Sequence, residues 1–98
     1  MNVEIAKKAA ILYVDKRYET LKTKSGFTLY YIRVGLDQSR VETPIFADEL
    51  PVHPLTLMID KDAITAFSEH CNYNEEYLVK VWVDFKANKY ETKILWGD

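Results

Sequence analysis

Aromatic and cationic side chains are interleaved at a spacing of two in two parts of this chain. In residues 27–36, Phe27, Tyr31 and Arg33 fall on one side of an extended backbone; in residues 77–86, Lys80 and Trp82 do the same. That mixture suits one kind of chemistry. Flat rings stack on unpaired bases for ~1–3 kcal/mol each, while neighbouring Lys and Arg follow the phosphates. Tyr13 and Arg17 join this surface from the N-terminal segment. Lys16, Lys22, Lys24, Lys86 and Lys89, in the two hairpin regions, extend the basic track. Asp84 lies on the same side and opposes it. Burial accounts for each aromatic equally well: packing beneath residues 48–59, or in a dimer interface, would also explain Trp82.

Such a surface needs a sheet to carry it, and the pattern supplies strands. Residues 10–21 alternate, with Leu12 and Val14 opposite Tyr13, Asp15 and Arg17, and read as a first strand. The polar turn at residues 22–26 leads into a second strand over 27–36, with Tyr30, Ile32 and Val34 facing inward. Residues 41–47 form a shorter third strand. Pro44 donates no ladder hydrogen bond, so this strand belongs at an edge or a bulge. Asp60 or Asp62 is placed to cap a helix over residues 63–71, whose Ile64, Phe67 and Cys71 share one face. Residues 77–86, with Val79, Val81, Val83 and Phe85 inward, give a fourth strand. A turn at 86–89, in which Asn88 tolerates a left-handed conformation, returns the chain as a fifth over 90–96. The expected fold is therefore mainly β, one domain over residues 1–98. Its form is a five-stranded oligonucleotide-binding (OB-fold-like) barrel with one helix between strands 3 and 4.

Two quoted stretches strengthen that expectation. KTKSGFTLYYIRVGL, residues 22–36, resembles the hairpin of small single-stranded DNA-binding proteins of phages and plasmids, and YLVKVWVDFKANKYETKILW, residues 77–96, is similar to their last hairpin. The resemblance covers about half the chain. It implies cooperative, sequence-tolerant binding of single-stranded nucleic acid by a dimer or tetramer. Stacking would fall to Tyr31 and Trp82, and phosphate contacts to Lys22, Lys24 and Arg33. Leu95-Trp96-Gly97-Asp98 lacks the acidic tail with which larger bacterial relatives recruit partners, so binding is expected to proceed without one.

Charge is unevenly spread over a chain of net charge −2. Residues 1–33 carry +4, residues 34–79 carry −7 and residues 80–98 carry +1. Basic ends meeting in one sheet would give an acidic protein a positive face. The acidic stretch 42–76, with Asp48, Glu49, Glu75 and Glu76, supports an alternative: a protein-interaction or inhibitor module of mobile-element origin that docks a basic partner.

The remaining chemistry points away from catalysis. His70-Cys71 are sequence neighbours, and the other histidine, His53, lies in a Pro-bounded loop. Two His and one Cys are too few for a structural zinc site. Asp60 and Asp62 lack the Gly and distal Glu of a calcium loop. No cofactor, metal or enzymatic activity is expected. One cysteine fits a reducing, cytoplasmic setting. The apolar run 9–14 is cut by Asp15 and is too short for a signal-peptide core, and no stretch has the length of a membrane span.

Overall fold

The computed structural model describes residues 2–19, 28–36, 44–50, 60–70 and 76–97. Its elements run α1 (Asn2–Arg17), β1 (Thr28–Leu36), β2 (Pro44–Glu49), α2 (Asp60–His70), β3 (Glu76–Asp84) and β4 (Lys89–Trp96). The four strands form one sheet in the order β2-β1-β3-β4, and every neighbouring pair is antiparallel.

This overturns the barrel. The sheet is open and has four strands, because residues 10–17, expected as the first strand, belong to a helix. Alternation at 12–15 spans only four residues. A spacing of four reaches further: Ala6, Ala10 and Val14 are fully buried, with Val3 and Ala9 beside them. Alanine is the best helix former and costs no side-chain entropy. A stripe of alanines also lets the helix lie close against the sheet. Glu4 in the first turn and Lys16 and Arg17 in the last complement the helix dipole.

The strands carry the two-residue period that the sequence suggested. Tyr30, Ile32, Val34 and Leu36 of β1 and Tyr77, Val79, Val81 and Val83 of β3, with Phe85 just beyond it, point toward α1 and form the larger core. At one end of it Tyr18 stacks on Tyr30 with ring centroids 4.3 Å apart, and Phe85 meets the Tyr30 ring edge-on at 6.4 Å. Tyr90 of β4 reaches over to donate to Asp15 Oδ1 at 2.6 Å, and Tyr18 donates to Glu49 of β2. Both edge strands are thus tied to α1.

The opposite face is covered too. Ala63 and Phe67 of α2 pack on Tyr31 and Leu78, with Leu50 closing this second core. Helix α2 matches the helix expected at 63–71, starting three residues earlier. Pro44 lies at the beginning of β2, an edge strand, opposite Leu36 where the β1–β2 register shifts. The β3–β4 turn holds Asn88 at φ 54°, with the Ala87 amide donating to Asp84 Oδ1 at 3.2 Å. The molecule is a mixed α/β arrangement: an antiparallel sheet between two helices. No described helix is long and apolar enough to cross a membrane.

Candidate interaction site

The side chains expected to bind nucleic acid are divided among three places. Tyr31, Arg33, Lys80 and Trp82 do share a face, as the strand period requires, with Tyr31 directly opposite Lys80 and Leu29 opposite Trp82. Tyr13 and Arg17 are on α1, across the sheet from them. Lys86 and Lys89 are exposed at the β3–β4 turn. Lys22, Lys24 and Phe27 lie outside the described residues, as do Cys71, His53 and residues 51–59 of the loop expected over Trp82; Asp48 and Glu49, expected to open that loop, instead end β2.

The shared face is occupied by the protein's own groups. Tyr31 is buried, and its hydroxyl donates to Asp60 Oδ1 at 2.9 Å. The Lys80 ammonium donates to the same oxygen at 2.6 Å and lies 4.4 Å from the centre of the Trp82 ring. Desolvation, followed by the bond to Asp60, pushes the Tyr31 hydroxyl up to about 12. The hydrogen bond from Lys80, helped by the one from Tyr31, holds the Asp60 carboxyl below its ordinary value although burial works the other way.

Arg33 is engaged in a second cluster on this face. Its Nε and one terminal nitrogen are 3.4 and 3.3 Å from the two carboxylate oxygens of Asp48. Its Nε is also 3.7 Å from Glu76, whose side chain is buried. The guanidinium caps the Phe46 ring at 4.8 Å. That ring rests on Gly35, where a Cβ would fall 2.6 Å from Phe46 Cδ1 and 2.8 Å from Cζ. Here a glycine is needed for close approach, not for an unusual dihedral angle. Among the described residues no buried side-chain nitrogen or oxygen lacks a hydrogen-bond partner.

The acidic residues that suggested a docking surface have the same fate. Asp48 and Glu76 serve Arg33, and Glu49 accepts from Tyr18. Glu75 lies outside the described residues. Among the described residues no group of three or more His, Cys, Asp or Glu could hold a metal ion.

Among the described residues, what the sheet leaves unoccupied is its rim: strands β2 and β4 each pair with another described strand on one side only. Beside β2 runs a shallow groove of about 280 Å³, lined by Ala9, Leu12, Tyr13 and Lys16 of α1 and by Phe46 and Ala47 of β2. Leu12 is 68% exposed, the most exposed large apolar side chain described. The residues 10–21 alternation hid this, because it set Leu12 on the buried side with Val14. Helical spacing instead separates Leu12 from the stripe Ala6-Ala10-Val14 and puts it on the flank. Compared with protein-family models, with curated proteins and with solved structures, the chain has no match.

Proposed function

We propose that this protein is a protein-interaction module, and that it takes up an extended segment of a partner along β2. The observation that carries the proposal is Leu12, standing exposed over an apolar groove at an open strand edge. An added strand would pair with the outer amides and carbonyls of β2, which no other described strand takes up. Every second side chain would then project toward α1 and into the groove. The partner segment is one that alternates apolar with polar residues, and main-chain pairing supplies affinity while the groove selects side chains.

Geometry favours this over single-stranded nucleic acid. A phosphate track needs uncommitted cations, and Arg33 and Lys80 are held by Asp48, Glu76 and Asp60. A stacking platform needs open rings, and Tyr31 is buried. The module reading keeps the protein partner inferred from the acidic segment but moves the contact from those acids to the α1–β2 groove.

The test is selection from a random peptide library, with Leu12→Glu as the counter-screen. Leu12 is exposed, so the variant folds normally. Peptides of alternating apolar residues that lose on the order of tenfold affinity for Leu12→Glu are expected. Peptides indifferent to Leu12 would refute the groove. Quenching of Trp82 and Trp96 by oligothymidine, weakening with salt, would return the nucleic-acid reading in its place.

A further inference from the structure

We infer that β4 is a self-recognition edge, where a second copy of this chain pairs antiparallel and extends the sheet to eight strands. The inference uses the rim opposite the α1–β2 groove and is independent of what that groove binds.

The argument is one of register. A two-fold axis normal to the sheet keeps each face on its own side. The centre of the β4–β4 ladder must then fall on a residue that faces its own copy. Lys89, Glu91 and Lys93 occupy one face of β4, opposite Asp84, Trp82 and Lys80 of β3. Tyr90, Thr92 and Ile94 occupy the other, opposite Val83, Val81 and Val79. Centring the ladder on Glu91 would set it against its copy and Lys89 against Lys93, like charges throughout. Centring it on Lys93 would oppose two lysines and set Glu91 against Leu95. Centring it on Thr92 pairs Lys93 with Glu91 twice and Tyr90 with Ile94 twice. Centring it on Tyr90 would also match opposite charges, Lys89 with Glu91 twice, but would set Lys93 against Ala87 in the turn and leave Ile94 and Leu95 beyond the ladder. The Thr92 register alone matches opposite charges at the middle of β4 and also joins apolar side chains on the other face.

Two further observations agree. Within the protein Lys93 is directly opposite another lysine, Lys80, and Glu91 is opposite Trp82. Among the described residues neither Lys93 nor Glu91 makes an ion pair, and both are exposed. Within the protein Lys93 feels the Asp60 carboxylate of α2 only at longer range, and Glu91 of a second copy would give it a counter-charge in direct contact. Trp96, 52% exposed, lies past the register shift that follows Ile94 and so falls outside this ladder. The other edge has no such complementarity. β2 offers Asp48 and Glu49 as its only charges and begins with Pro44.

The experiment is sedimentation equilibrium of the full chain over a wide concentration range, with three variants. Wild type is expected to dimerise. Glu91→Lys and Lys93→Glu each convert both ion pairs to like-charge contacts, and each should weaken the dimer on the order of tenfold or more. The combined Glu91→Lys/Lys93→Glu exchange restores opposite signs in the same register and should recover dimerisation. Both side chains are exposed, so far-ultraviolet dichroism and thermal melting of the monomer should be unchanged. A wild type that stays monomeric would overturn the inference. So would single exchanges without effect, a double exchange that fails to rescue, or a dimer lost on Leu12→Glu instead.

Discussion

Lys80 and Asp60 meet at 2.6 Å on the sheet face beneath α2, and the Asp60 oxygen that accepts from Lys80 also accepts from Tyr31 at 2.9 Å. One carboxylate therefore fastens the first turn of a helix to two central strands. Replacing Asp60 with Asn leaves a largely buried ammonium without its charge partner and weakens two hydrogen bonds. The expected cost at neutral pH is about 1–2 kcal/mol, since Asp60 itself is partly open to solvent. The pH dependence has a definite sign. The folded carboxyl titrates below its unfolded value of 3.8. Its contribution is present above that value and is lost as pH falls through the lower, folded one. Urea unfolding of wild type and Asp60→Asn should therefore differ most above pH 4 and converge in acid.

At the other end of the scale the tyrosines act in concert. Tyr31 and Tyr90 are pushed up to about 12, and Tyr18 and Tyr30 are raised as well. Desolvation is the leading cause in all four, with Asp60, Asp15 and Glu49 adding to it. A folded value above the unfolded 10.0 gives stability that is full below pH 10 and drains away as pH rises toward 12. Phenolate absorbance should show only part of the seven tyrosines titrating before an alkaline unfolding transition. Tyr90→Phe, which loses the bond to Asp15, should cost about 1 kcal/mol at pH 7. Titration of all seven near pH 10 in the folded protein would contradict the arrangement.

Gly35 and Phe46 form a cross-strand pair in which a ring replaces the missing side chain. Gly35→Ala pushes a methyl group into that ring, and about 1–3 kcal/mol of destabilisation is expected. Phe46→Ala removes the obstacle together with the contact that Arg33 makes over the ring. The double variant should then be more stable than the sum of the two single effects predicts. Additive losses in denaturant titrations would show that the strand shifts to make room.

The strands were legible because β-branched residues recur at every second position, as Val79, Val81 and Val83 do, and because Ile64 and Phe67 mark one side of α2. Helix α1 was not. Its buried residues are mainly alanines, which carry little hydrophobic signal, and its one large aliphatic residue on the flank, Leu12, faces outward. The shared face of Tyr31, Arg33, Lys80 and Trp82 was readable from parity alone. Its covering was not, since parity says nothing about which element packs on a face. The acids that neutralise it are distant in sequence, Asp60 being 29 residues from Tyr31 and Asp48 15 from Arg33. A signal did exist: an acidic middle segment of −7 flanked by basic ends is what internal pairing between them requires.

The strand order has a consequence for how the chain assembles. Each outer strand is the second arm of a hairpin, close in sequence to its neighbour, whereas the central β1–β3 ladder joins residues some fifty positions apart, such as Ile32 and Val79. Closing that long loop costs the most chain entropy. It is also the step that creates continuous apolar floors for α1 and α2. Amide exchange is therefore expected to be slowest along that central seam and fastest in the outer strands β2 and β4, which among the described residues have a strand neighbour on one side only.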